Sequence, residues 1–276
     1  MITNRYRIGP EIRRGAFGTI YKGVYEKTQE HVAIKLEHSN QTSLRHEIRM
    51  IQYLYMAGVK KIPSIYWFGT HETNPCVVMT LYECSLYDYR QRGQPTQANI
   101  SKLMWLLIEI FEGVHKHWVV HRDIKPHNFM IKNGEVYLID FGLATFYVDE
   151  NGEHLPNQPS TTIIGSPYFT SLRIHEGHRY GRRDDLISLG YVWLFMMGVS
   201  WGTPPNIDPP TTPVDCSPLD LSYPVNQWLC QKKADIDSFM TSQEIRYYMD
   251  YVYELEYDET PKYTLLKLLF IPVKKG

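Results

Sequence analysis

Several features are scarce in this 276-residue sequence, and each absence narrows the class of protein. Its four cysteines form no C-x-x-C pair, so free thiols are expected instead of a disulfide framework or a zinc site. Lysine and arginine total 29 against 30 aspartates and glutamates, which argues against electrostatic nucleic-acid binding. No apolar run is long enough to cross a bilayer. The opening residues MITNRYRIGP lack an apolar core, so no secretory signal is expected.

One glycine is missing from a glycine-rich segment near the start. EIRRGAFGTIYKG follows the phosphate-covering pattern G-x-G-x-x-G at Gly15 and Gly18, but Arg13 occupies the first position. Two glycines three residues apart also occur by chance in many turns. At a strand end φ can be negative, and the Arg13 side chain can then point outwards. The two remaining glycines would still let backbone N–H groups approach phosphates.

Hydrophobic periodicity predicts a small sheet with one helix over the first 80 or so residues. β-branched runs flank the glycine segment, and HVAIKLE and PCVVMTLYE have the same character. Between these two runs, apolar residues recur at helical spacing, and Gly58 is suited to end the helix. Those apolar residues are Leu44, Ile48, Ile51 and Tyr55.

Beyond about residue 95 the pattern predicts mainly helices. DDLISLGYVWLFMMG is apolar nearly all round, as in a buried central helix. Asn133 and Gly134 predict a type I′ turn in a hairpin. Residues 202 to 224 carry seven prolines and no lysine or arginine, which predicts an irregular surface segment. Helix is expected again from about Thr241.

The segment HRDIKPHN, residues 121 to 128, carries the strongest chemical signal. A hydroxyl is a weak nucleophile, so a carboxylate, Asp123, would orient it and accept its proton. Lys125 would place a cation beside a transferring phosphoryl group, and Asn128 offers a neutral amide oxygen to a metal ion. Twelve residues later, the DFG tripeptide begins at Asp140, which would hold Mg²⁺ because hard cations prefer oxygen ligands.

A lysine on the third predicted strand needs a partner. Lys35 ends VAIK, and its ammonium would hold the α- and β-phosphates of a nucleotide. Glu47 lies on the predicted helix at the edge of the apolar face. A glutamate there is usually a solvated surface charge, but here it is expected to pair with Lys35. Ile51, one turn further on, should pack towards Phe141 and His121.

These motifs resemble the set that defines protein kinases. Within that superfamily the chain resembles the casein kinase I family, from about Tyr6 to Phe270. The likeness rests on VAIKLE, HRDIKPHNF and GRRDDLISLGYV, and on SLRIHEG standing where other kinases have A-P-E. It implies an α+β bilobal fold and a single kinase domain over residues 1–276. The N-lobe would cover about 1–80, the hinge about 80–85, and the C-lobe about 86–276.

The resemblance also implies an activity. It implies a monomeric, cytoplasmic or nuclear serine/threonine kinase that uses ATP and Mg²⁺ and is active without phosphorylation of its activation segment. Protein substrates are expected, without nucleic-acid or membrane partners. Lys125 separately favours serine and threonine, since D-x-K-x-x-N is the serine/threonine form of the loop.

The site residues follow by matching positions. The catalytic group would be Lys35, Glu47, Asp123 and Lys125, and the metal ligands Asn128 and Asp140. Met79 would be the gatekeeper, the Thr80 carbonyl and Tyr82 N–H would meet adenine, and Ser85 and Asp88 would lie near the ribose. The full ATP-binding set is Ile12, Gly15, Gly18, Ile20, Ala33, Lys35, Met79, Thr80, Tyr82, Ser85, Asp88 and Met130.

A residue of the predicted buried central helix is expected to hold the catalytic residues in place. Asp185 would hydrogen-bond the catalytic loop, which is the HRDIKPHN segment at residues 121 to 128. Arg183 and Asp184 fit a specific role and a solvated charge cluster equally well.

The sequence departs from the family where related enzymes bind a phosphate on the substrate. Thr145, Thr161 and Tyr168 stand where that family has basic residues. Lys232 and Lys233 remain as candidates for a remnant of the pocket. We therefore expect weaker dependence on substrates that already carry a phosphate.

Two other functions compete with an active protein kinase. A catalytically silent scaffold is favoured slightly by Arg13 and the proline-rich segment, but the complete catalytic set opposes it. A small-molecule kinase is opposed by GSPYFTS, which resembles a peptide-binding platform.

Overall fold

The computed structural model describes residues 2–15, 18–38, 43–202, 219–221, 224–240 and 242–271. Its first part is a five-stranded antiparallel sheet in the order β1-β2-β3-β5-β4. The strands are β1 (Tyr6–Arg14), β2 (Gly18–Tyr25), β3 (Glu30–Glu37), β4 (Ile65–His71) and β5 (Asn74–Thr80), and one helix, α1 (Ser43–Met56), lies between β3 and β4 in the chain. The predicted small sheet with one helix is confirmed, and β4 is an addition to it.

Helix α1 packs its apolar face against the sheet. Leu44 and Ile48 are buried in one cluster with Val77 of β5. Tyr55, predicted for this face, is 65% exposed, and Leu54 is fully buried in its place because the helical stripe drifts around the axis. The helix ends at Met56, and Gly58 lies just beyond it, as predicted for a stop residue. Its φ of 85° is a left-handed conformation that glycine adopts without strain.

The second part of the chain is mainly helical. Its helices are α2 (Leu86–Gln91), α3 (Gln97–Lys116), α4 (Leu172–His175), α5 (Arg182–Met197), α6 (Pro224–Ala234), α7 (Gln243–Glu254) and α8 (Tyr263–Leu268). Its short strands are β6 (Cys84–Ser85), β7 (Val119–Val120), β8 (Phe129–Lys132), β9 (Glu135–Leu138), β10 (Thr145–Phe146), β11 (Thr162–Ile163) and β12 (Leu219–Asp220). Pro126–Asn128, Phe141–Leu143 and Ile236–Phe239 form 3₁₀ turns.

Helix α5 is the centre of this part, as its apolar pattern predicts. It packs against α3 and α7, and α8 closes over α3. Trp193 of α5 meets Phe270 edge-on at 4.6 Å between ring centroids. At Gly190 a Cβ would collide with the Met249 sulfur, so glycine is what lets α7 approach so closely. These helices therefore share one core, and a smaller separate cluster forms around Tyr147, Ile163 and Ile174.

The predicted turns have mixed outcomes. The β8–β9 hairpin turns through Asn133 and Gly134 with φ of 52° and 72°, which confirms the type I′ prediction. Of the proline-rich segment, residues 203–218 and 222–223 lie outside the described residues. Its end is more regular than predicted, since β12 pairs with β11 and α6 begins at Pro224.

Two predictions from composition are tested over part of the chain. Cys76, Cys84 and Cys230 are free thiols, as expected, while Cys216 lies outside the described residues. Within the described ranges, no helix has both the length and the apolar character needed to cross a membrane.

Candidate active site

The predicted catalytic residues converge where the sheet faces the helical part. Lys35 of β3 pairs with Glu47 of α1 at 2.6 Å, and their side chains are only 15% and 6% exposed. Burial opposes the charge on Lys35, but the carboxylates of Glu47 and Asp140 outweigh it and raise the pKa of Lys35. Burial also raises the pKa of the Glu47 carboxyl group, and the Lys35 charge opposes that rise. Lys35 is therefore charged at neutral pH, and Glu47 fixes its ammonium in position.

Helix α1 also contacts the segment that begins with the DFG tripeptide. Ile51 and Phe141 are buried in the same core cluster, and the Phe141 ring meets His121 edge-on at 4.9 Å. This confirms the predicted packing of Ile51 towards that group. The His46 imidazole Nε2 lies 2.7 Å from the Ala144 carbonyl oxygen, a link that the sequence did not indicate. The position of α1 is thus coupled to the DFG segment.

Both oxygens of Asp123 are held by hydrogen bonds. Oδ2 accepts from Lys125 Nζ at 2.7 Å and from Asn128 Nδ2 at 3.0 Å. Oδ1 accepts from the Ser166 N–H at 3.0 Å and from Ser166 Oγ at 2.8 Å. The carboxylate is 3% exposed and cannot rotate without losing several of these bonds. Such a fixed carboxylate is suited to orient a hydroxyl group and to accept its proton.

Ser166 is a site residue that the sequence interpretation missed. Lys125 Nζ also donates to Ser166 Oγ at 2.9 Å. This bond joins the catalytic loop to the activation segment, the stretch between the DFG tripeptide and SLRIHEG. Gly165 just before it has φ of 90°, and a Cβ there would collide with the Arg122 carbonyl oxygen. The activation segment therefore passes very close to the catalytic loop at Gly165. The glycine followed by a small hydroxyl residue in GSPYF was the sequence signal that could have indicated this close approach.

Asp140 and Asn128 fit the chemistry of a magnesium site. Burial opposes ionisation of Asp140, but the charges of Lys35 and Lys125 lower the pKa of its carboxyl group below the usual value. Its φ of 67° is left-handed, a strained conformation for a non-glycine residue. Both hydrogen bonds of the Asn128 side chain use the amide nitrogen, which leaves the oxygen as a neutral ligand.

Those two residues would bind Mg²⁺ through oxygen ligands, with substrate phosphates and water completing the shell. Among the described residues, no group of three or more histidine, cysteine, aspartate or glutamate side chains could hold a metal by itself. The donor set therefore suits a metal ion that arrives with a nucleotide.

Asp185 supports the catalytic loop from α5, as predicted. Its Oδ2 accepts from the His121 N–H at 2.8 Å and its Oδ1 from the Arg122 N–H at 3.0 Å. His115 Nε2 lies 3.0 Å from Oδ2, and the Nδ1 of the same ring lies 2.6 Å from the Tyr263 hydroxyl. A chain of contacts thus runs from α8 through α3 and α5 to the catalytic loop.

The neighbours of Asp185 have specific structural roles and are not a solvated cluster. Asp184 is fully buried and accepts from the Gly181 N–H at 2.8 Å and from the Ser171 hydroxyl. Arg183 Nη1 donates to the Leu255 carbonyl oxygen at 2.9 Å. Together they fasten the start of α5 to α4 and to the end of α7.

The residues expected around adenine and ribose lie on neighbouring strands. Ala33 of β3 is paired with Met79 of β5, and Met130 of β8 is paired with Ser85 of β6. Ile20, Met79, Tyr82 and Met130 are half-buried and Ala33 and Thr80 are buried, while Ile12 is 52% exposed.

Ser85 and Asp88 act as a capping box at the start of α2. The Asp88 N–H donates to Ser85 Oγ at 3.1 Å, and Asp88 Oδ2 accepts from the Ser85 N–H at 3.0 Å. Their expected place near a ribose stays a prediction.

The glycine segment differs in detail from its predicted role. The Gly15 N–H donates to the Gly18 carbonyl oxygen at 2.9 Å, so it closes the turn instead of pointing at a phosphate. A Cβ at Gly18 would collide with the Leu36 carbonyl oxygen, so this glycine is required by the approach of β2 to β3. The tip, residues 16 and 17, lies outside the described residues.

Arg13 lies on β1 without a positive φ, as expected, and its side chain is exposed. Its charge nevertheless reaches the catalytic loop. Burial is the main cause that lowers the pKa of His127, to about 4, and the charges of Arg13 and Lys125 add to the effect.

The suggested phosphate pocket at Lys233 is wrong. Helix α6 packs against α4 and turns Lys233 inward, where it is fully buried. Its Nζ donates to the carbonyl oxygens of Pro167 at 2.6 Å and Thr170 at 2.5 Å, and lies 2.9 Å from His175 Nε2. Burial lowers the pKa of Lys233. Burial, and then the Lys233 charge, also lower the pKa of His175 to about 2, so the imidazole is neutral.

Comparison with known families agrees with this geometry. The family model described as protein kinase domain matches residues 6–205 of the chain. The match contains every catalytic, metal-binding and ATP-binding residue predicted from the sequence, and it ends before α6. The sheet-bearing first part and the helical second part have the α+β bilobal arrangement of that family.

Proposed function

Because the chain belongs to the protein kinase domain family, we propose that it is an active serine/threonine kinase of casein kinase I type. Members of the family use ATP with Mg²⁺ and act on protein substrates. The observation that carries the proposal is the fixed Asp123 carboxylate, held by Lys125, Asn128 and Ser166, beside a closed Lys35–Glu47 pair. A decayed enzyme has no need to keep all of these contacts.

The residues of the chain divide the chemistry between them. Asp123 orients the substrate hydroxyl and accepts its proton, a contribution of about 10²–10⁴ in rate. The Lys125 ammonium, 2.7 Å from Asp123, stabilises negative charge on the group in transfer. Lys35 binds nucleotide phosphates, and Glu47 holds it in place. When bound through Asp140 and Asn128, Mg²⁺ neutralises charge on the phosphates.

Serine/threonine specificity is supported by Lys125, because D-x-K-x-x-N is the serine/threonine form of the loop. Its ammonium contacts both Asp123 and Ser166, so it is held at the carboxylate that would receive the acceptor hydroxyl. The casein kinase I assignment is supported by SLRIHEG, in which Ser171 caps α4 and donates to Asp184.

The wider organisation is part of the same proposal. We take residues 1–276 as one kinase domain, because α7 and α8 share the core of α3 and α5 beyond the family match. We further propose a monomer that acts in the cytoplasm or nucleus. The burial of Lys233 supports weak dependence on phosphate-bearing substrates, since its ammonium cannot reach one.

A silent scaffold is the second candidate, favoured by one observation. The Gly15 N–H is already used by the Gly18 carbonyl oxygen, so this turn offers one donor fewer to a phosphate.

A phosphotransfer assay with Mg-ATP and a panel of protein substrates, followed by phosphoamino-acid analysis, separates these functions. Phosphoserine and phosphothreonine are expected. Asp140→Ala should abolish transfer, and Asp123→Asn should keep nucleotide binding but lose transfer by about 10²-fold or more. Asp250→Asn, an exposed site on α7, is the matched control. Equal transfer by wild type and Asp140→Ala would contradict the assignment, and nucleotide binding without any transfer would favour the scaffold.

A further inference from the structure

A cavity of about 460 Å³ lies beside the catalytic loop. It is enclosed by α2, the catalytic loop, the activation segment and the end of α5. Seven of its fourteen lining residues carry aromatic or imidazole rings, namely Tyr87, His127, Tyr168, Phe169, Tyr191, Phe195 and Trp201. Nothing in the phosphotransfer chemistry described above uses this space.

The aromatic walls are built before any ligand arrives. The Tyr87 ring stacks on His127 at 4.1 Å and 20°, and on Phe195 at 5.7 Å and 14°. Trp201 meets Tyr191 edge-on at 5.2 Å, and its Nε1 donates to the Tyr168 carbonyl oxygen at 3.0 Å. Rings that are already oriented lose little conformational entropy on binding.

The cavity adjoins the segments that carry the proposed acceptor site. His127 is the immediate neighbour of Asn128, and Tyr168 follows Ser166, a partner of Asp123, by two residues. A polypeptide with its hydroxyl at Asp123 therefore passes these walls within a few residues. This proximity indicates an occupant that belongs to the substrate chain.

The charges around the cavity restrict the occupant further. Arg90 lines it, and among the described residues its Nε is buried without a hydrogen-bond partner. A basic substrate residue is thus disfavoured, whereas an aromatic ring can stack on the walls and meet the Arg90 guanidinium.

We propose that this cavity binds an aromatic side chain of the protein substrate, close in sequence to the phosphorylated serine or threonine. The proposal rests on the kinase function above and adds a substrate class to it. The cavity volume falls within the range of ordinary ligand pockets, and it holds one large ring without rearrangement.

A positional peptide scan tests the proposal. Each peptide carries one serine in an alanine background, with tryptophan or phenylalanine placed in turn at each position from five before the serine to five after it. We expect one position to raise kcat/KM over its alanine twin by about tenfold or more, as an apolar group in a fitted pocket does.

Two variants test whether the cavity causes that preference. Tyr87→Ala removes the ring that stacks on His127, and Ser200→Trp fills the lining while leaving that stack in place. In both, the aromatic-to-alanine ratio of kcat/KM should fall towards one. Tyr55→Ala removes an exposed tyrosine on α1 and should keep the wild-type ratio. Thermal unfolding confirms that each variant is folded.

The outcomes distinguish failure of this proposal from failure of the kinase function. Transfer without an aromatic preference, or a preference that survives both Tyr87→Ala and Ser200→Trp, overturns the proposal. If no peptide or protein is phosphorylated, the kinase function fails. Fluorescence anisotropy of a labelled aromatic peptide then tests aromatic binding in the cavity by itself. Binding that is weakened about tenfold by Tyr87→Ala supports the proposed binding, and no binding overturns it. Displacement by a synthetic peptide covering residues 203–218 would assign the cavity to the chain itself and also overturn the proposal.

Discussion

Two buried lysines, Lys35 in the sheet-bearing part and Lys233 in the helical part, are stabilised in different ways. Lys35 faces the Glu47 carboxylate, and its pKa is raised; Lys233 faces two carbonyl oxygens and an imidazole, and its pKa is lowered. The first contact depends on the position of α1, because Glu47 moves with that helix. The second depends on backbone groups of the activation segment. The Lys35 contact therefore depends on where α1 lies, whereas the Lys233 contacts form an anchor between α6 and the activation segment.

The largest effect is expected at Lys35. Lys35→Met should lower kcat/KM by about 10²-fold or more, because the phosphates lose their fixed cation. It should also destabilise the fold by up to about 3–5 kcal/mol, because Glu47 is left buried without its partner. Urea unfolding and phosphotransfer rates measure the two effects separately.

A double variant separates activity from stability at this pair. Lys35→Met with Glu47→Gln should recover most of the stability and none of the activity. Recovery of activity would mean that Lys35 serves the fold and not the nucleotide.

Lys233→Met should act on stability and on the peptide substrate. Removing Nζ leaves the Pro167 and Thr170 carbonyl oxygens without this donor, at about 1–3 kcal/mol each, partly offset by the loss of a buried charge. We expect a net loss of about 1–3 kcal/mol and a raised KM for peptide, with KM for ATP unchanged. Lys232→Met, at a half-buried neighbour that lies over Trp228, is the control and should stay within about 0.5 kcal/mol. Equal stability and equal peptide KM in the two variants would contradict the anchoring role of Lys233.

His175 makes the same anchor sensitive to acid. Its folded pKa of about 2 lies below its usual 6.5, so between these values the unfolded chain binds more protons than the folded one. Stability is therefore fully present above pH 6.5 and falls as the pH drops, by at most about 1.4 kcal/mol per pH unit. His175→Gln should reduce this slope between pH 6 and 4, measured by urea unfolding against an exposed-site control, His178→Gln. An unchanged slope would mean that His175 takes up a proton in the folded state.

The smallest effect is expected at Arg13. The residue does not need a positive φ and its side chain is exposed, so Arg13→Gly should change KM for ATP by less than about threefold. Steady-state kinetics at varied ATP measures this. A gain of more than about tenfold in turnover would show that the native glycine segment impairs catalysis, and would favour the scaffold.

The sequence predicted the residues whose spacing is fixed by chemistry. HRDIKPHN, VAIK and DFG each place several groups within a few residues, so local pattern was enough to find Asp123, Lys35 and Asp140. The type I′ hairpin followed from Asn133 and Gly134 for the same reason. These features depend on backbone conformation over short stretches and not on how distant helices pack.

The missed features depend on long-range packing. A lysine on a helix usually points to solvent, and nothing within α6 indicates that Lys233 lies against carbonyl oxygens more than 60 residues earlier in the chain. Ser166 gains its role only because Gly165 lets two loops cross. Tyr55 had the right spacing for the buried face but lies where the stripe has already turned away from the core.

The contacts that run from Tyr263 through His115 to Asp185 have a consequence for synthesis of the chain. Tyr263 lies 148 residues after His115, and translation proceeds at about 5–20 residues per second. Tyr263 also lies 135 residues after Asn128, the end of the catalytic loop, so the loop is synthesised roughly 7–27 s before its last supporting hydroxyl exists. A nascent chain stalled before α8 would already contain every predicted catalytic residue. It would still lack the Tyr263 hydroxyl, which supports the catalytic loop through His115 and Asp185. On the proposed function, phosphotransfer competence would be acquired late in translation, after the motifs that mark the kinase family have already been made.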